Sequence, residues 1–561
     1  MEPIYTLSRR RFLKAMAITT GAAATGGLLS GCAPANFFHG VASGDPLSDR
    51  VIIWTRLTPD YDDNLLVHWE VAKDKHFRRR VAYGSTFTDN TVDYTVKIDV
   101  EGLRPDRRYF YRFIYNGAYS PRGTTRTLPV GTTSALSMAV MSCSNYPAGF
   151  FNVYREVAHR ADSIDFVIHL GDYLYEYDKD GYASEDAEAL GRVSVPTHEL
   201  LTLADYRQRY AQYRSDQDLQ AVHRKLPFIT VWDDHEIAND TWREGAENHS
   251  EDEGDFFIRK TQALQAYYEW IPIRESAPND KERIFRRFDF GDLCSLHMLD
   301  TRVIGRDQQL AYGNYFQADG SFDSERFSAE LTDPERSLLG NEQLQWLSAG
   351  LTHSTATWQV LGQQVLMAAI ALPAPLIFQQ ISLGDYQGLL VKAQTTPSEL
   401  TPAELAILNA PAVPLNLDAW DGYPAAREAI LQTAKALDKN IISLAGDTHN
   451  AWASNLKTLD GQPAGVEFAT PSVSSPGLES ALAAIDPTSL ATALVQFSDQ
   501  LQYANTEHRG FMVLTLTHTQ VDSEWVFIDT IKSPQYTLLD EQAKQLSVFV
   551  GEHKLTGESL R

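Results

Sequence analysis

Four apolar, strand-like runs in this chain each end in residues able to ligate a metal, and that recurrence narrows the possible folds more than any other feature. The first run, Leu136 to Met141, leads into Ser142-Cys143-Ser144-Asn145, and the second, Phe166 to Leu170, into Gly171-Asp172-Tyr173-Leu174-Tyr175. The third, Phe228 to Trp232, leads into Asp233-Asp234-His235-Glu236; a late one, Ile441 to Leu444, is followed by Gly446-Asp447-Thr448-His449-Asn450. Further strand-like runs lie at Leu293 to Leu299 and Trp358 to Gly362. Helical spacing fits Asp205 to Val222 and Arg427 to Leu437, so the chain predicts a layered α/β arrangement. In open α/β sheets, ligands bind beyond the carboxyl ends of the strands. Glycine before Asp172 and before Asp447 permits a sharp turn that aims each side chain at a shared point. Taken singly, these motifs have plain readings: Gly-Asp after a strand is often a turn, and a lone cysteine is usually a small core hydrophobe. Taken together, Cys143, Asp172, Tyr175, Asp234, His235, Asp447 and His449 suit two cations about 3.5–4 Å apart that share ligands and clamp one phosphoryl group.

Composition bears on how such a site would attract its substrate. The 561 residues include 49 Lys and Arg against 73 Asp and Glu, a net charge of −24. That excludes a broad electrostatic grip on a nucleic-acid backbone or an anionic membrane. An anionic substrate would have to be drawn by metal ions instead. Hydrophobic residues make up 43% and aromatics 11%, as in a globular chain with room for more than one domain. Cys32, Cys143 and Cys294 are too few for a disulfide framework.

The N-terminus, residues 1–35, reads as an address. Ser8-Arg9-Arg10-Arg11-Phe12-Leu13-Lys14 precedes a mildly apolar run rich in Ala, Gly and Thr, the pattern of a twin-arginine export signal. Leu29-Ser30-Gly31-Cys32 fits a lipobox and offers Cys32 as a lipid anchor; a plain signal cleaved nearby is the alternative. The expected location is periplasmic or extracellular, with the twin-arginine export machinery as a partner. Residues 36–130 alternate in short runs, such as Val51 to Trp54, Leu66 to Val71, Tyr94 to Ile98 and Tyr109 to Tyr115, which predict an antiparallel β-sandwich. Gly102-Leu103-Arg104-Pro105 before Tyr109 is similar to the corner of fibronectin type III sandwiches. Residues 131–530 form the expected catalytic domain, with stretches near 371–415 and 478–498 as insertions or lids. Residues 531–561 are expected to form a helix, either capping the crevice or facing solvent.

The order of motifs resembles the calcineurin-like metallophosphoesterases, with definite departures. Cys143-Ser144-Asn145 stands where Asp-x-His is usual, Asp234 where the Asn of Asn-His is usual, and Asp447 where the first His of Gly-His-x-His is usual. With Tyr175 three residues after Asp172, these departures are similar to the PhoD-type alkaline phosphatases. Phe38 to Pro46, Asp205-Tyr206-Arg207, Leu299 to Arg302 and Gly362-Gln363-Gln364 add to the likeness, which runs from about residue 38 to 530.

The resemblance implies a metallophosphoesterase-like layered α/β catalytic domain preceded by a small all-β fibronectin III/Ig-like sandwich. It implies an exported hydrolase of phosphomonoesters or phosphodiesters that releases phosphate by metal-activated attack of water. It also implies Fe³⁺ paired with Ca²⁺: the anionic thiolate and phenolate of Cys143 and Tyr175 suit a ferric ion, and the carboxylates of Asp234 and Asp447 suit calcium. On that reading Cys143, Asp172, Tyr175 and His449 hold iron, Asp172 bridges, and Asp234 and Asp447 complete the calcium site; Tyr173 or Tyr177 could replace Tyr175. His235 would act at the leaving-group oxygen or else serve as a structural hydrogen-bonder. Asn145 and Asn239 would contact phosphate or support the ligands, and Asp300 and Arg302 would form a buried pair shaping the site, with Arg302 a further candidate for phosphate contact. Two rival readings are a phospholipase D-like phosphodiesterase on the same metals and a non-catalytic exported binding protein. No basic stripe supports nucleic-acid scaffold binding.

Overall fold

A computed structural model describes residues 35–59, 62–276 and 280–556. The export signal and Cys32 lie outside the described residues. Two mixed sheets face one another. In the nine-stranded sheet, Ala135–Met141, Phe166–His169 and Phe228–Thr230 are parallel neighbours at the centre. In the seven-stranded sheet, Cys294–Met298, Trp358–Gly362, Asn440–Ala445 and Pro463–Ala469 run parallel. These central strands are almost continuously apolar because both of their faces are covered. Val140, Ile168 and Ile229 from the first sheet share one core with Leu296, Val360 and Ile442 from the second. The helices Asn152–His159, Leu203–Arg214, Gln217–Lys225 and Phe256–Trp270 contribute buried residues to this core. On the other side of the second sheet, Gly340–His353 and Pro424–Ala436 bury Leu347, Leu351, Ile430 and Leu431 against Leu361 and Ile441.

The expected helical stretch from Asp205 to Val222 is two helices. Ser215 closes the first and Asp216 caps the second, its carboxylate accepting from the backbone N–H groups of Asp218 and Leu219. The segment near 371–415 folds as short helices and a two-stranded ribbon, with Leu383–Thr395 its longest helix.

The N-terminal strands divide between two sheets. Leu65–Ala72, Arg80–Thr88 and Arg108–Tyr115 build a separate antiparallel sheet, whereas Val41–Gly44, Val51–Arg56 and Thr95–Val100 extend the edge of the nine-stranded sheet. Val51, Ile53, Val67, Val71, Tyr111 and Phe113 fill the core between them. The Tyr109 hydroxyl accepts a hydrogen bond from the Arg104 N–H at 2.9 Å, tying the corner before its strand. The tail departs from the expected helix: Lys544–Phe549 is a strand, antiparallel to Gln520–Ile528. Its Leu546 and Val548 alternate inward, a period of two that a helix could not use. Among the described residues no helix is long and apolar enough to cross a membrane.

Candidate metal centre

The four metal-type strand ends meet, but across two sheets rather than along one. Cys143, Asp172 and Asp234 follow adjacent parallel strands of the first sheet, and Asp447 and His449 follow Asn440–Ala445 of the second. The sheets are joined there: the Val473 N–H donates to the Ser142 carbonyl at 2.9 Å. A Cβ on Gly446 would stand 2.7 Å from Ser142 Oγ, so this glycine allows close approach, whereas Gly171 supplies the turn at φ +108°. Cys143, Asp172, Asp447 and His449 themselves adopt positive φ values between 53° and 62°. Non-glycine residues in that region are strained, and such strain collects at functional sites.

One group of donors comprises Cys143, Asp172 and His449, whose ligand atoms lie within 4.8 Å of one another. Tyr175 completes it: its hydroxyl is 3.1 Å from Asp172 Oδ2 and 3.1 Å from His449 Nε2, and it accepts from Ser475 Oγ at 2.6 Å. His449 Nδ1 faces the Pro476 carbonyl at 2.6 Å, which holds the proton there and turns the Nε2 lone pair toward the group. Neither Tyr173 nor Tyr177 takes this place. The Tyr173 hydroxyl binds His223 at 2.9 Å, and Tyr177 flanks His235. Burial, and then the charge of Asp172, push the Cys143 thiol and the Tyr175 phenol well above their ordinary ranges. A cation at the site would reverse that preference.

Asp172 belongs also to a second group, with Asp234 and His235, and Asp234 to a third, with Asp233 and Asp447. Asp234 Oδ2 accepts from the Asp240 N–H at 2.6 Å, and Asp233 Oδ1 receives Arg302 Nε at 2.5 Å. Burial pushes the Asp233 carboxyl well up, against the pull of Arg302. The oxygens Asp172 Oδ1, Asp233 Oδ2 and Asp234 Oδ1 are buried without a hydrogen-bond partner. Buried carboxylate oxygens left unpaired are costly. Three of them, beside a thiol, a phenol and an imidazole lone pair, are the donor set that metal cations would satisfy, so the residues fit the metals expected of them.

His235 is buried, its ring tilted against that of Tyr175 with centroids 4.2 Å apart, and places Nδ1 2.7 Å from Glu176 Oε2. Glu176 Oε1 accepts in turn from the Asn239 N–H and Asn248 Nδ2, both at 2.8 Å. Burial alone would lower the His235 pKa, but the carboxylates of Asp234, Glu176 and Asp172 outweigh it and raise it well above the ordinary value. Asn145 is buried, donates Nδ2 to the Tyr182 carbonyl at 3.2 Å and leaves Oδ1 unpaired. The Asn239 amide is engaged with Glu247 at 3.1 Å.

The expected Asp300–Arg302 side-chain pair does not form. Asp300 accepts from Trp232 Nε1 and from the N–H groups of Arg302, Val303 and Ile304, bracing its own loop. Fully buried Arg302 instead spans Asp233, Asp418 and Asp447. Glu176, Asp418 and Ser475 lie outside the motifs of the sequence, and Asp233 and Glu236 stand in the third motif without an assigned role. Glu236 accepts from the N–H groups of Asp172, Tyr173 and Asp233 and so locks two strand ends together. The available signal for Glu176 and Glu236 was their position one residue beyond Tyr175 and His235.

Gly171→Ala tests the close packing. Its Cβ would lie 2.4 Å from Asp233 Cβ, so the substitution is expected to cost about 2–4 kcal/mol from overpacking and positive φ together. Chemical denaturation reads this directly, and an unchanged midpoint would contradict the packing.

Comparisons with known proteins identify the family. Residues 138–525 match the family profile of the PhoD-like phosphatases, and residues 23–129 match the profile of the PhoD-like phosphatase N-terminal domain. Alkaline phosphatase D of Bacillus subtilis (strain 168) is 34% identical over 517 residues, covering 89% of this chain and 78% of that protein. A solved structure of PhoD matches with a TM-score of 0.76 and 31% identity, covering 96% of this chain and 94% of its own.

Proposed function

The chain belongs to the PhoD-like phosphatase family and is a metal-dependent phosphoester hydrolase, and from that premise we propose the metals, their ligands and the setting in which it works. Cys143, Asp172, Tyr175 and His449 would hold iron(III), and Asp172, Asp234 and Asp447 would hold calcium. The observation that carries this is the sharing of Asp172 between two donor groups, one with a thiol, a phenol and an imidazole, the other with Asp234 and His235, and of Asp234 in turn with the carboxylates of Asp233 and Asp447. The anionic thiolate and phenolate suit the highly charged ferric ion, and the carboxylate oxygens of Asp234 and Asp447 suit calcium.

When bound, the two cations would neutralise the phosphate oxygens and activate water for in-line displacement. The remaining work belongs to the chain. His235, held through Nδ1 by Glu176, turns Nε2 toward the leaving-group oxygen and donates the proton that oxygen needs. Ser475 and the Pro476 carbonyl fix the orientation of Tyr175 and His449. Arg302 is buried against the carboxylates of Asp233, Asp418 and Asp447 and supports them. The substrates are small phosphomonoesters or phosphodiesters. Export follows the twin-arginine route signalled by Arg9-Arg10-Arg11-Phe12, with Cys32 as the lipid attachment point, and the N-terminal strands form a fibronectin III/Ig-like sandwich, supported by the Tyr109 corner.

Mass-spectrometric metal analysis of protein matured through its own export pathway tests the assignment. Iron and calcium in stoichiometric amounts are expected, with turnover of a phosphomonoester and a bis-ester compared under identical conditions. Zinc or manganese without iron would remove the roles given to Cys143 and Tyr175 while leaving the hydrolase.

A further inference from the structure

A cleft far from the metal centre in the topology concentrates positive charge on an acidic molecule. Residues 65–128 hold 12 Lys and Arg against 7 Asp and Glu, whereas the whole chain carries −24. Between the separate N-terminal sheet and the helices of the nine-stranded sheet lies a cavity of about 420 Å³, lined by Arg108, Arg122, His159, Arg224 and Lys225, with Asp162 as its one acidic lining residue. His159 and Lys225 end the helices Asn152–His159 and Gln217–Lys225, where cations also complement the helix dipole. That explanation does not extend to Arg108 and Arg122, which arrive from the facing sheet.

The cations are only partly engaged. Arg108 lies 3.7 Å from Asp162, and both side chains are exposed, a pairing that stabilises little. Lys225 donates to the Ala158 carbonyl at 2.7 Å, and Arg122 to the Lys75 carbonyl at 3.3 Å. Arg224 has no carboxylate partner among the described residues. Asp162 precedes the strand Phe166–His169, and Arg224 and Lys225 precede Phe228–Thr230. The cleft therefore opens at the amino ends of strands whose carboxyl ends carry the metal ligands.

We propose that this cleft binds a phosphate group, distinct from the one being hydrolysed. Three guanidinium groups present paired N–H donors that match tetrahedral phosphate oxygens better than they match a lone carboxylate. The same chemistry has two sources: free inorganic phosphate, the product of the reaction, or the phosphodiester headgroup of an anionic lipid.

The test compares the metal-loaded protein with its Arg122→Ala/Arg224→Ala variant, whose substitutions lie outside the metal centre. Calorimetric titration with inorganic phosphate is expected to show two sites in the wild type, one of them weakened at least ~10-fold in the variant, with turnover of a small phosphomonoester unchanged. If instead phosphate fills a single site, co-flotation with phosphatidylglycerol but not phosphatidylcholine vesicles, lost in the variant, identifies the headgroup as the source. A single phosphate site together with vesicle binding that is absent, or equal in wild type and variant, overturns the proposal.

Discussion

Asp172→Asn is expected to empty both metal positions and to lower turnover by at least ~10³-fold, because this one carboxylate serves both donor groups. Asp172 is buried, with Oδ2 facing the Tyr175 hydroxyl and Oδ1 unpaired. An amide at this position keeps the volume but loses the negative charge, and places N–H donors where the cations need lone pairs. The backbone support is untouched, since the Asp172 N–H is held by Glu236 at 3.1 Å. The variant should therefore fold normally by circular dichroism while metal analysis shows both ions depleted. Retention of both metals with near-normal activity would contradict the bridging role.

Arg302→Met is expected to destabilise the metal-free protein by about 3–5 kcal/mol at neutral pH. Arg302 is fully buried and is the shared cation for Asp233, Asp418 and Asp447, with Asp234 3.7 Å away. Methionine fills similar space but leaves Asp233 and Asp447 without a counter-ion in a desolvated site, while Asp418 keeps only Arg306. Breaking a buried ion pair on one side costs far more than the pair itself contributes. Added calcium should restore part of the loss, because it brings positive charge back to Asp234 and Asp447. Thermal or urea unfolding with and without the ion reads both effects. A variant as stable as the wild type in the absence of metal would mean that Asp233 is held protonated and that Arg302 is not its required partner.

Much of the catalytic layer was legible in the sequence because its signals are local. The run Trp358–Gly362 coincides with its strand, and the other runs differ from theirs by one or two residues at the ends. Apolar runs of strand length bounded by polar turns are what a strand covered on both faces requires. The tail was not legible, since Lys544–Phe549 becomes a strand only because Gln520–Ile528 offers it an edge. Asp205 to Val222 carried helical spacing throughout, and the break was marked only by the capping preference of Asp216. The Asp300–Arg302 pairing failed for a related reason: neighbours in sequence shared a loop, but the guanidinium found carboxylates 69 to 145 residues distant.

Sequence alone determined the kind of chemistry, since the donor types and their place at the ends of apolar runs are properties of short segments. Tertiary structure decided how those donors are supported. It placed the fourth strand end on a second sheet, set Ser475 against Tyr175 across 300 residues, gave His235 to Glu176, and laid Arg302 against three carboxylates. Hydrogen bonds and buried charges are short-range in space but unrestricted in sequence, so which group meets which depends on how the two sheets pack face to face.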